Sequence, residues 1–256
     1  MKYDISNVEK WVSDWQLKIN AGKCESLHIG STNNNFQYEL NGLIIPTSDK
    51  CRDLGITISD DLKFTSHCQK IARNAHYRRR QFQQSFAYKD RKFQVEMFCS
   101  YIRPIVESSS IIWSPHAIGD INCIEDVQRK FTKYLPGLFD TSYPARLQVL
   151  GMESLEIRRI KSDLIFFYKM IHGLVDLDVN DYVTFNQRTS RGHPYKVNIQ
   201  YSRVNCRKYF YTNRVAPIWN SLTLSAACSL TLLAFKKEID KIDFSSYCRG
   251  CAHTAP

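Results

Sequence analysis

No apolar run in this 256-residue chain approaches the roughly 20 residues that a membrane-spanning helix needs, so no membrane partner is expected. The start, Met1-Lys2-Tyr3-Asp4, has no apolar core behind a basic segment; it carries no secretory signal, and an intracellular location, nuclear or cytoplasmic, is expected. There is no G-x-S-x-G, no phosphate-binding P-loop and no H-E-x-x-H, and the seven histidines are dispersed, which argues against the common serine-hydrolase, nucleotidase and zinc-protease arrangements. Internal repeats and low-complexity linkers are also missing. The nine cysteines are scattered and odd in number in a chain that is not small. They read as reduced thiols, mostly buried as small hydrophobes, and not as a disulfide framework.

What is present is ordinary in bulk and uneven in distribution. Hydrophobic residues make up 43% and charged residues 23%, which predicts a packed core. The length suggests one large domain or two to three small subdomains. The net charge is +10. Residues 1–62 hold six Lys/Arg against nine Asp/Glu, whereas residues 70–103 hold nine Lys/Arg against only Asp90 and Glu96. Residues 158–214 are basic again. Such surfaces attract polyanions, of which nucleic acid is the commonest inside cells; a solvated basic face without a partner is the plainer reading.

Periodicity gives an α+β chain. Ile5, Val8, Val12, Trp15 and Ile19 recur at helical spacing, with Gly22 as a stop. Residues 24–29 alternate as in a strand, as do Phe36, Tyr38 and Leu40. Asn41-Gly42 before Leu43-Ile44-Ile45 predicts a hairpin, next to a further strand carrying Leu54, Ile56 and Ile58. Helices follow. Thr65 or Ser66 caps one with Cys68, Ile71, Ala72, Ala75, Phe82 and Phe86 inward. Asp90 caps the next, with Phe93, Met97, Tyr101 and Ile105 inward. Asp120 caps a third over Ile121, Ile124, Val127 and Phe131. Ser154 opens a fourth through Ile157, Ile160, Leu164, Phe167 and Ile171, ended by Gly173, and Ser229 starts the last, through Leu232, Phe235 and Ile239. Residues 175–220 read as short strands and loops, and the tail from about Ser245 as frayed.

The residue blocks are similar, in order, to those of non-LTR (LINE-type) retrotransposon reverse transcriptases of the Jockey kind. Trp11, Trp15, Leu17, Asn20, Lys23 and Cys24 follow the W-x-x-x-W-x-L-x-x-N-x-x-K-C run after that family's catalytic hairpin. Asp53-Leu54-Gly55-Ile56 with Asp60-Asp61-Leu62-Lys63-Phe64 resembles the primer-grip block. Tyr101 to Glu107 with Trp113 and Pro115, Glu125 to Lys133, Ser142 to Leu147, Ser154 to Arg159, Thr189 to His193, and Arg214 to Leu222 continue the series to near the end of the chain. The resemblance implies the end of a palm with a β-hairpin (1–62), a helical thumb-like bundle with connecting helices (63–173) and a basic mixed C-terminal subdomain with a tail (174–256). It implies RNA and RNA–DNA hybrid as partners. The family's aromatic-x-Asp-Asp hairpin is not in this sequence, so no catalytic residue, no metal ligand and no cofactor are expected in the chain, although a parent polymerase would use Mg²⁺. Asp60-Asp61 is read as a turn and helix-start signal, not as a replacement carboxylate pair.

Several residues are candidates for gripping nucleic acid. The resemblance places Lys23 near phosphate and the backbone at Gly55 near a primer end; the plainer alternatives are an exposed lysine and a turn glycine. Arg73, Arg78, Arg79 and Arg80, with His76 and Tyr77, would track phosphates from one helix. Arg188, Arg191, His193, Tyr195, Lys196, Arg203, Arg207, Lys208, Tyr209 and Tyr211 form a second basic and aromatic stretch, suited to RNA unless its tyrosines belong to a core. Cys248 and Cys251 with His253 make half a zinc site at most. The rival to a nucleic-acid grip is a non-catalytic protein-interaction module of the same origin, with incidental basic faces.

Overall fold

The computed structural model describes residues 2–30, 32–86, 90–186 and 192–250. It is a mixed α+β chain that divides into two compact units, residues 1–67 and 68–256.

In the first unit, helix α1 (Lys2–Asp14) stops earlier than Gly22. Gln16 takes φ +53° and the Leu17 N–H returns to the Val12 carbonyl at 2.9 Å, the left-handed C-terminal closure that ends many helices. Gly22 falls instead in a 3₁₀ turn, Ala21–Lys23. Residues 24–29 form no strand. Ser26 alone bridges to Thr47, and Pro46 beside it has no N–H with which to extend a ladder. The hairpin at Asn41-Gly42 is present: β1 (Glu39–Leu40) pairs antiparallel with β2 (Leu43–Ile44), and the two turn residues sit at φ +52° and +74°. Glu9 on α1 accepts the Asn41 N–H, which ties the helix to the turn.

A second hairpin, β3 (Lys50–Asp53) with β4 (Ile56–Ser59), forms a separate two-stranded sheet. The expected strand at 54–58 therefore starts two residues late, because Leu54 and Gly55 are its turn, at φ +43° and +91°. It also pairs with β3 and not with the hairpin at Asn41-Gly42. The polar run Lys-Cys-Arg-Asp of β3 gave no apolar alternation to announce it. Buried apolar side chains among the described residues of this unit are few: Leu40 and Ile56.

The second unit is helical. Helix α2 (Thr65–Ser85), whose first residues close the first unit, buries Cys68, Ile71, Ala72, Ala75 and Phe82 as expected, but Phe86 lies past its end and is exposed. Asp90 caps α3 (Arg91–Met97) by accepting the Phe93 N–H at 2.8 Å. A π turn, Phe98–Ile102, joins it to α4 (Arg103–Glu107). Its extra residue shifts the inward face by one position, so Phe98, Ile102 and Val106 are buried and the expected Tyr101 is exposed. After α5 (Ser110–Trp113) comes α6 (Ile118–Lys133), which begins two residues before Asp120 and buries Ile121, Ile124, Val127 and Phe131. Helix α7 (Tyr143–Leu150) leads to α8 (Leu155–Ile171), capped by the Ser154 hydroxyl.

Helix α8 is covered on several sides. Leu164, Phe167, Tyr168 and Met170 share one core with Val183, Val197, Trp219, Phe235 and Phe244. The expected boundary at 173–174 falls inside this core. Residues 205–220 are helical, against the expectation of strands and loops: α9 (Asn205–Lys208) and α10 (Tyr211–Asn220), the latter with Pro217 inside it. Pro217 masked α10 in the sequence. The short α11 (Leu224–Ala227) precedes α12 (Leu232–Ile239), whose cap is Thr231 and not Ser229.

Candidate nucleic-acid interface

Helical spacing sorts the arginines of α2. Arg73, Tyr77 and Arg80, at i, i+4 and i+7, share a face and are exposed. Seven residues of helix separate the Cα atoms of Arg73 and Arg80 by about 10 Å along the axis. Arg78 is exposed at the edge of this face and reaches Gln81 at 3.4 Å. Among the described residues none of the three has an ion-pair partner.

Arg79 points the other way. It is 8% exposed, donates to Gln83 at 2.8 Å and lies 5.8 Å from the centre of the Tyr134 ring. Burial pulls its guanidinium below the ordinary arginine value. Its expected role on phosphate is corrected to packing, because in a run of three arginines one position must meet the core face. His76 is likewise turned inward, 3.6 Å from Asp126, which Lys130 also approaches at 2.6 Å.

In the first unit, Lys23 is exposed at the end of its 3₁₀ turn, and Gly55 sits at a hairpin tip beside a Leu54 that is 95% exposed. Asp61 is committed to its own turn. It accepts from the Ser59 hydroxyl at 2.7 Å and the Lys63 N–H at 2.9 Å, with the Lys63 ammonium 3.1 Å away, and the Ser59 hydroxyl first among these holds its carboxyl down at about 2.

The second basic stretch divides. Arg188 and Arg191 lie outside the described residues. His193 and Tyr211 are core: His193 bonds to the Trp219 carbonyl at 3.0 Å, and the Tyr211 hydroxyl donates to the Asp163 carbonyl at 2.8 Å. Arg203, Arg207 and Lys208 are exposed. Arg207 donates to Gln200 at 2.7 Å and lies over Phe210, while Lys208 lies over Tyr209.

Lys208 and Tyr209 line a cleft of about 770 Å³ between α8, α10 and residues 199–202 and 247–249. Its wall carries Arg214, which holds the buried Asp163 with two bonds of 2.9 and 3.0 Å. Its floor carries Arg159, 3% exposed. Arg159 and Arg214 stood in the sequence only as members of the family-like blocks, and none of Arg159, Arg214 and Arg249 was a candidate for binding. For Arg159 a signal existed: it falls four residues after Leu155 and four before Asp163, on the buried side of α8.

Cys248 is half-buried, and burial pushes its thiol up to about 12. Cys251 and His253 lie outside the described residues, and among the described residues no three His, Cys, Asp or Glu side chains converge as a metal site would need. No described helix is long and apolar enough to cross a membrane.

Neither a family model, nor a curated protein, nor a solved structure matches the chain.

Proposed function

We propose that this chain is a nucleic-acid-gripping segment of a LINE-type reverse transcriptase, comprising the palm end, thumb and basic C-terminal extension, and that it carries no polymerase activity of its own. One observation bears most of the reading: Arg73, Arg78 and Arg80 stand exposed on a 21-residue helix with Tyr77 between them and, among the described residues, no carboxylate attached. Arginines whose Cα atoms are about 10 Å apart along a rigid rod can each reach a phosphate of one backbone through their long side chains, and a tyrosine between them can meet ribose or base. Lys23 and Gly55 on the hairpin unit, and Arg207 and Lys208 in the C-terminal region, would each offer contacts of their own. Ordered blocks resembling the family's support the assignment of origin.

The test is fluorescence anisotropy of a labelled RNA–DNA hybrid at several salt concentrations. Affinity falls by about three orders of magnitude between 50 and 200 mM salt if roughly six phosphates are held. The variant R73A/R78A/R80A binds more weakly and with a flatter salt slope, and it keeps its fold, because none of the three side chains is buried. An unchanged slope in that variant removes the grip from α2. Purified chain with Mg²⁺, primer–template and deoxynucleotides extends no primer; extension above background overturns the non-catalytic part.

The interaction-module reading has its own support. Val8, Trp11, Trp15 and Leu17 are 49 to 66% exposed, and Leu43 and Ile44 are 60 and 61% exposed, a large apolar display for one small unit. Salt-independent association with protein, without hybrid binding, would favour it.

A further inference from the structure

Arg159 lines the cleft with its Nη1 and Nη2 atoms buried and without an acceptor among the described residues. Buried guanidinium nitrogens are nearly always bonded, so two orphans on one side chain call for a missing partner. The carboxylates nearby are already engaged. Asp163 is clamped by Arg214. Glu156 accepts the N–H groups of Arg249 and Gly250, at 2.8 and 3.0 Å. That second bond requires glycine: a Cβ at Gly250 would lie 2.9 Å from a Glu156 oxygen and 2.8 Å from Ile121. The strap so fixed holds Arg249 at the cleft wall.

The rim adds charge and flat surface together. Lys208 and Arg249 have no ion-pair partner among the described residues, and each lies over the Tyr209 ring, at 5.5 and 5.3 Å from its centre. His116 stacks on Tyr209, with centres 4.0 Å apart and planes within 7°. Tyr201, on the rim, is 88% exposed. Apolar walls, Ile160 and Ile199 among them, complete a cleft whose size suits a small ligand. Arg159 also lines a smaller neighbouring cavity of about 320 Å³, but the charged groups there pair with one another, Arg158 with Glu107 and Lys161 with Glu153 and Asp240.

We propose that this cleft binds a single nucleotide unit, its phosphate held by Arg159, Lys208 and Arg249 and its base stacked on Tyr201. Phosphate supplies the acceptors that Arg159 lacks, in the geometry a guanidinium fork prefers. The exposed tyrosine face supplies the sequence-tolerant stacking that a base of any kind accepts. The occupant is either a free nucleotide or the 5′-phosphorylated end of a strand. The site shares Lys208 with the proposed grip but uses none of the α2 arginines.

The experiment is calorimetric titration of the whole chain at low salt with adenosine 5′-monophosphate, adenosine, inorganic phosphate, and a short oligonucleotide with and without a 5′-phosphate. The expected result is saturable binding of the monophosphate, with adenosine and phosphate each about tenfold weaker or more. K208Q/R249Q weakens the monophosphate about tenfold; Y201A weakens it while leaving inorganic phosphate unchanged. R73A/R78A/R80A leaves it unaltered, which separates this site from the α2 arginines. R159Q abolishes binding if it folds, as circular dichroism will show; if it does not fold, the rim variants decide. Preference for the 5′-phosphorylated oligonucleotide identifies a strand end, and its exclusion while the monophosphate binds identifies a free nucleotide. The proposal fails if neither the monophosphate nor the phosphorylated oligonucleotide saturates, if adenosine binds as well as its monophosphate, or if K208Q/R249Q binds as the wild type does.

Discussion

At the scale of single residues, the second unit is fastened by polar groups placed inside it. Glu125 is 1% exposed and accepts from the Tyr143 hydroxyl, from the Leu155 N–H at 3.1 Å and from the Glu156 N–H at 3.2 Å. It thus brings a negative charge to the open N–H groups at the start of α8, beside the Ser154 cap. Replacing Glu125 with Ala leaves two N–H groups and a tyrosine hydroxyl buried without an acceptor, a loss of about 3 kcal/mol expected in denaturant unfolding. Glu125→Gln, which keeps an acceptor oxygen, should lose less. Asp61 gives a pH dependence of its own. Its folded value, about 2, lies below the ordinary 3.8, so the stability it adds is fully present above about pH 4 and drains away as pH falls toward 2. Asp61→Asn should flatten acid unfolding of the first unit in that window, followed by circular dichroism; an unchanged acid limb would show that the turn bonds do not matter. The side chain is half-exposed, so the effect is small.

At the scale of elements, the hairpin tip at Leu54 is the least comfortable. A leucine at φ +43° with 95% of its surface in water has neither a backbone preference for its conformation nor any packing to justify it. Leu54→Asn should stabilise the isolated turn by about 0.5–1 kcal/mol, read as a raised midpoint in chemical denaturation, unless the leucine is buried by a partner under the assay conditions. Elements with strong local signals were legible in advance: the Asn41-Gly42 hairpin, the Asp90 and Ser154 caps, and the inward faces of α2 and α6. The misses have local causes too. The π turn at Phe98–Ile102 breaks the period that placed Tyr101 inward, Pro217 hid α10, and the polar β3 has no alternation to read. Glu125, Gln128, Tyr143, Arg146, Arg214 and Trp219 are internal fasteners, which no local pattern of the sequence announced.

At the scale of the whole molecule, the charge asymmetry was plain from the sequence, whereas the cleft was not. Its cations without an ion-pair partner among the described residues, Arg159, Lys208 and Arg249, come from distant positions that only folding brings together. The core around α8 likewise draws on residues 164 to 244. A chain ended at residue 173 therefore strips α8 of the covering of Leu164, Phe167 and Tyr168. It should be insoluble or molten, with dye binding and lost near-ultraviolet dichroism, while the full chain melts cooperatively; a cooperative melt of the shortened chain would show that the helices before α8 suffice. The same dependence has a meaning during synthesis. Helix α8 leaves the ribosome well before its cover, and at roughly 5–20 residues per second the wait for Phe235 and Phe244 lasts several seconds. For that interval the growing chain carries a helix whose apolar face, Leu164, Phe167 and Tyr168 among it, is uncovered, and slow codons between residues 172 and 244 should lengthen that exposure and raise aggregation.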